Sequence, residues 1–367
     1  MLQQTKTRKG PAVAETSTIE WTDATWNPIT GCAVISPGCT NCYAMGLAGT
    51  RLKNHPSRAG LTLDTAAGPV WNGQVRLNEE WLLQPLQWRR PRLIFVCAHG
   101  DLFAPGVPDA WIDRVFAVMA LADWHTFQVL TKRSARMREY LTHPLVKARI
   151  AMAMAKITAK SSLAEMERGR QIVVQMESPE GWPLPNVWKG VSAEDQRRAD
   201  QRIPDLLATP AAVRYVSAEP LLGPIDFRAV LKMLGGGTLE VDALTGIETM
   251  TPVKPDPCRG SRLDWIIVGG ESGPGARPMH PAWARAIRDQ CEAARVAFHF
   301  KQYGAWAPEM RGPDWMILDR EGGLDVPDDR YPDEAEGEIA VTRVGKKAAG
   351  RLLDGVEHNG MPEVRHV

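Results

Sequence analysis

Three of the six cysteines in this 367-residue chain stand together as Cys32, Cys39 and Cys42, in the spacing C-x6-C-x2-C. Gly31, Pro37 and Gly38 lie among them, so the segment reads as a tight loop, not a helix or strand. Three thiolates on one short loop can hold a metal, and three in place of four leave a coordination position open. A disulfide would leave one thiol over. Structural zinc would need a fourth ligand, such as His55 or His99, and the paired CxxC spacing of most structural zinc sites is missing. An iron–sulfur cluster with one open iron accounts for three cysteines without a fourth, and the open iron is a place for chemistry. Cys97, Cys258 and Cys291 are isolated and read as small buried apolar residues.

A second set of reactive groups follows short apolar runs. Asp101, Lys132 with Arg133, Ser192 with Glu194, Ser217 with Glu219, Glu271 with Ser272, and Lys301 with Gln302 each come just after such a run. If those runs are parallel strands, all these groups meet at one rim, where α/β proteins place their sites. Each has a plainer reading. Ser192 and Ser217 suit helix caps or turns. Glu194 and Glu219, which end two copies of Ser-Ala-Glu, could equally pair with Lys132, Arg133 or Lys301 in a buried charge network. In Gly269-Gly270-Glu271-Ser272-Gly273-Pro274-Gly275, the glycines allow close backbone approach to a ligand and Glu271 could accept a bond from an ammonium. Arg277 just beyond could bind a carboxylate or phosphate, or lie on the surface.

The elements that would position these groups alternate along the chain. Seven apolar, β-branched runs begin near residues 26, 92, 126, 187, 213, 265 and 296. Helix-forming stretches at 108–123, 134–141 and 281–294 separate some of them. Continuous short apolar runs fit strands buried on both faces, so the pattern predicts an α/β fold, a (β/α) barrel, complete or partial, before an open doubly wound sheet. A tail at residues 1–17 should be disordered, with the barrel domain over 18–310. Residues 143–183 read as a helical insert and 231–263 as a loop excursion or small hairpin. A polar extension at 311–367 would pack on the barrel, and 345–355 reads as a short helix closed by glycine. Hydrophobic residues make up 44%, enough for a core, and a net charge of +1 gives no argument for bulk binding to nucleic acid or to a membrane surface. There is no run of about eighteen apolar residues and no signal-peptide pattern. The expected compartment is the cytoplasm, where clustered cysteines bind metal more often than they form disulfides.

The segment Ile19-Glu20-Trp21-Thr22-Asp23-Ala24-Thr25-Trp26-Asn27-Pro28, with the cysteine loop that runs into Cys42-Tyr43-Ala44, resembles the phage three-cysteine-motif family of unknown function, also called the phage Gp thirty-seven/sixty-eight family. Leu130-Thr131-Lys132-Arg133, Ser217-Ala218-Glu219-Pro220-Leu221-Leu222-Gly223-Pro224 and Lys301-Gln302 carry the same resemblance, as do 265–278 and 345–355. That family resembles radical S-adenosylmethionine enzymes, in which three cysteines after the first barrel strand hold a [4Fe–4S] cluster. The resemblance implies Cys32, Cys39 and Cys42 as cluster ligands, with S-adenosylmethionine as cofactor. The cofactor would rest against Gly269, Gly270, Glu271, Ser272 and Arg277. Asp101, Lys132, Glu194, Glu219 and Lys301 would line a substrate cavity. It also implies phage or prophage origin, a genetically linked partner protein, and a nucleic-acid substrate that is modified or repaired. The alternative is a non-catalytic, zinc-stabilised module that binds nucleic acid or protein. Neither reading involves a membrane.

Overall fold

In the computed structural model the described residues are 17, 19–234, 237–251, 258–308, 312, 315–326 and 330–363. The tail expected at 1–17 lies, apart from Ser17, outside them, as do parts of the 231–263 excursion and of the C-terminal extension.

Seven strands form one sheet: β1 (Ala24–Trp26), β2 (Leu93–Val96), β3 (Thr126–Thr131), β4 (Val187–Ser192), β5 (Arg214–Ala218), β6 (Trp265–Gly269) and β7 (Ala297–Gln302). Six of them lie on the apolar runs, while the run near residue 26 meets the sheet only at Trp26, and Ile29–Thr30 beyond it pairs with Arg76–Leu77 instead. Each strand of the sheet pairs in parallel with the next in chain order. This is the strand sequence of a (β/α) barrel, but β1 and β7 do not pair with each other among the described residues, so the sheet is a half-barrel. The helices of seven residues or more among the described residues are α1 (Tyr43–Gly49), α2 (Asp109–Leu121), α3 (Ser134–Thr142), α4 (Val146–Thr158), α5 (Leu163–Gln175), α6 (Gln196–Leu207) and α7 (Pro281–Ala294). The helix α7 starts where His280 caps the Ala282 N–H and Pro281 takes the first turn.

Alternation of side chains along each strand divides the core in two. One face packs under the helices, with Val96, Val129, Val191, Val216 and Val268 buried there. The other face carries Trp21, Trp188, Tyr215, Trp265 and Ile267, which form a separate aromatic cluster inside the curve of the sheet. Trp265 is its hub, with ring centroids 6.1 Å from Trp21, 6.0 Å from Trp188 and 5.6 Å from Tyr215. Gly190 makes room for Tyr215: a Cβ there would stand 2.5 Å from the tyrosine ring.

The outer edge of β7 is covered by the chain's own C-terminal segment. Phe300 N–H donates to His358 O at 2.9 Å, Gly360 N–H donates to Phe298 O at 2.9 Å, and Trp265 Nε1 donates to Gly360 O at 2.8 Å. Between α3 and β4, residues 143–183 hold α4 and α5. The 231–263 excursion belongs to a four-stranded antiparallel sheet, and a second such sheet follows β7, from Trp306–Pro308 to Ile339–Arg343. Lys346–Ala349 is a four-residue helix ending at Gly350.

Candidate functional site

The cysteine loop leaves the carboxyl end of β1, makes one tight turn at Pro37–Cys39, and enters α1 with Cys42 at its N-cap. Cys39 is buried, Cys32 and Cys42 are half-buried, and all are free thiols. The three line one cavity of about 830 Å³ at the carboxyl ends of the strands. Burial, reinforced by the Asp101 charge and opposed by Arg133, pushes the Cys32 thiol up to about 12.

Three ion pairs built on strand ends grip this loop. Asp101, after β2, pairs with Arg133, after β3, at 2.9 Å, and both are almost fully buried. Asp101 also accepts from Thr131 Oγ1 at 2.7 Å, while Arg133 Nη2 donates to Ala33 O in the loop. Glu194, after β4, pairs with Arg202 of α6 at 2.8 Å and accepts from Ser36 Oγ and, at 3.2 Å, from Gly38 N–H. Glu271, after β6, pairs with Arg277 at 2.6 Å and accepts from Asn41 Nδ2 at 2.8 Å. Arg277 Nη2 donates onward to Pro37 O at 3.0 Å. The loop is therefore held at Ala33, Ser36, Pro37, Gly38 and Asn41 from three directions. Burial works against ionisation of Glu194, but the Lys132 and Arg202 charges and the bonds from Ser36 and Arg202 hold its carboxyl below the usual range. Burial likewise opposes ionisation of Glu271, and the bonds from Arg277 and Asn41 lower it.

Cys32, Cys39, Cys42, Asp101, Lys132, Glu219, Gly270, Glu271, Ser272 and Lys301 all line the cavity. Glu194, Gly269 and Arg277 do not; Glu194 is buried beneath the loop and serves as its anchor. Glu219 and Lys301 pair with each other at 2.9 Å across the cavity floor. Glu271 is already committed, because Arg277 and Asn41 occupy both of its oxygens. The Gly269-Gly270 pair serves the chain's own packing. A Cβ on Gly269 would meet Glu219 at 2.6 Å and one on Gly270 would meet Tyr303 O at 2.0 Å, while the Gly270 N–H is spent on Gln302 O.

The reading of the sequence missed Ser36, Asn41 and Arg202, whose partners lie far away in the chain. It also missed the basic and aromatic wall formed by Arg51, Arg58 and Trp81, which lines the same cavity beside His55. The run from Arg51 to Arg58 just after the cysteine helix was the available signal.

A closed zinc site needs four ligands at roughly 2.0–2.3 Å. Among the described residues, no three His, Cys, Asp or Glu side chains come together closely enough to hold a metal ion. His55 is also engaged, with Nδ1 2.7 Å from Ser57 Oγ. A four-iron cluster held by three cysteines takes each thiol on a separate iron. Three loop cysteines on one cavity match that number, and Cys97 and His99 line the same cavity.

Residues 16–362 match the model of a family described as protein of unknown function (DUF5131). No curated protein and no solved structure matches the chain. Among the described residues, no helix is long and apolar enough to cross a membrane.

Proposed function

We propose, for a chain that belongs to the DUF5131 family of proteins of unknown function, that Cys32, Cys39 and Cys42 hold a [4Fe–4S] cluster in an S-adenosylmethionine-dependent radical enzyme. The observation that carries this reading is the placement of three free thiols on one loop anchored into a strand-end cavity. When bound, such a cluster supplies one-electron chemistry for which S-adenosylmethionine is the hydrogen-abstracting co-substrate. The protein's own part is to hold and to exclude. Arg133, Glu194 and Arg277 fix the loop through Ala33, Ser36, Gly38 and Pro37. Trp21 and Phe95, packed on the aromatic cluster around Trp265, line the cavity and give reactive species an apolar wall. Lys132 and the Glu219–Lys301 pair give the floor polar groups that can orient a ligand. The cavity volume, about 830 Å³, suits a cofactor and a small substrate group together.

Anaerobic purification followed by iron, sulfide and zinc analysis and a visible spectrum tests the proposal. Iron and sulfide in cluster stoichiometry, and release of 5′-deoxyadenosine on adding S-adenosylmethionine and a reductant, are expected. Stoichiometric zinc without iron, persisting after anaerobic reconstitution, would overturn it in favour of a zinc-stabilised binding module.

A further inference from the structure

The acids around the cavity are all matched. Glu20 pairs with Lys346, Asp101 with Arg133, Glu219 with Lys301, and Glu271 with Arg277. Arg51, Arg58 and Lys132 line the same cavity and have no carboxylate within ion-pair distance among the described residues, although the Lys132 charge is partly spent on Glu194. Arg58 is the most telling of the three. It is only 5% exposed, yet its bonds run to neutral oxygens of Ser57, with Nη1 2.6 Å from Oγ. Its guanidinium lies 5.7 Å from the Trp81 ring centroid, and its buried Nε has no partner. A buried, unpaired guanidinium is costly unless an anion completes it. His99, on the same cavity, also has a buried nitrogen without a partner, Nδ1.

We propose that Arg58, assisted by Arg51 and Lys132, binds the phosphate group of a nucleotide, so that the substrate is a nucleotide unit. A surplus of several cations matches a phosphate, which carries about −1.5 to −2 at neutral pH, better than a singly charged carboxylate. The arginine fork suits phosphate oxygens. Tyr43 supplies a stacking face for a base: its hydroxyl is tied to Ala98 O at 2.5 Å, while the residue is 54% exposed and lines the cavity. The proposal rests on reading this cavity as the substrate site, and it names the class of substrate.

Equilibrium titration of the full chain with 5′-adenosine monophosphate, adenosine and S-adenosylmethionine tests it, both as purified and after anaerobic iron loading. The monophosphate should bind about tenfold or more tightly than adenosine, and Arg58→Gln should erase that difference while Arg58→Lys retains part of it. Arg51→Ala, at an exposed position that does not threaten the fold, should weaken monophosphate binding several-fold and reduce its salt dependence. Equal binding of adenosine and its monophosphate overturns the proposal, as does unchanged affinity in both the Arg51 and Arg58 variants. An Arg58→Gln chain that loses S-adenosylmethionine as strongly as the monophosphate also overturns it, because the anion is then the cofactor's carboxylate. The monophosphate titration does not depend on iron, so a missing cluster and a missing phosphate site read out separately.

Discussion

At the scale of single residues, Glu194 shows how one side chain can look catalytic in sequence and act as an anchor in three dimensions. Its carboxylate is wholly buried and shared between Arg202, Ser36 and Gly38. Glu194→Ala strands Arg202 as a buried, uncompensated charge and should cost about 3–5 kcal/mol, whereas Ser36→Ala removes one hydrogen bond and should cost about 1 kcal/mol. Urea unfolding of both variants checks the contrast; equal losses would mean the pair is not what holds the loop. The same carboxyl makes a pH prediction. Its folded value lies below the ordinary 4.5, so its contribution is complete above that pH and is lost as pH falls through the lower, folded value. Glu194→Gln should therefore flatten the acid limb of the stability profile, and an unchanged limb would discount the linkage. The three cysteines and the strand-end acids were legible because residue type and position along a strand are sequence properties. Lys301 was among the partners offered for Glu219, and the two pair; that Glu194 takes Arg202, and that Arg277 reaches Pro37 of the loop, was not legible, since both follow from the fold.

At the scale of elements, six of the seven strands could be read from the chain, because parallel strands buried on both faces are continuous apolar runs. Most ends moved by a residue or two, as at β5, which runs Arg214–Ala218, but the run near residue 26 enters the sheet as Ala24–Trp26, upstream of the stretch read. The point at which the sheet stops was not legible. Nothing in an apolar run says whether its outer edge meets another strand, and here the edge of β7 meets residues 358–360 instead. Gly360 permits that contact: a Cβ there would stand 2.5 Å from Phe298 O. Gly360→Val should detach the segment, remove about three hydrogen bonds worth roughly 2–3 kcal/mol together, and leave an open strand edge prone to self-association. Calorimetry and light scattering check this; an unchanged midpoint and a monodisperse solution would show that the segment is dispensable. The excursion at 231–263 was legible as irregular but not as part of a four-stranded sheet, because its pairing partners are set by antiparallel register, not by composition.

At the scale of the whole molecule, a near-zero net charge hides an uneven distribution. The chain carries +1 overall, yet its cavity gathers cations that its own acids leave unmatched. Composition could not reveal this, because charge balance in sequence says nothing about which signs share a surface. The triple grip on the cysteine loop has a consequence for how such a protein comes to maturity. Small zinc domains gain their fold from the metal and collapse without it. Here Arg133, Glu194 and Arg277 hold the loop through Ala33, Ser36 and Pro37, none of them a cysteine, over a large apolar core. The iron-free chain should unfold in one cooperative thermal transition and take up iron and sulfide afterwards with little change in circular dichroism. A gradual, non-cooperative melt before loading would contradict that order of events. On the proposed reading, synthesis and charging would be separate steps in the life of the protein, and chelation would leave an intact fold that can be filled again.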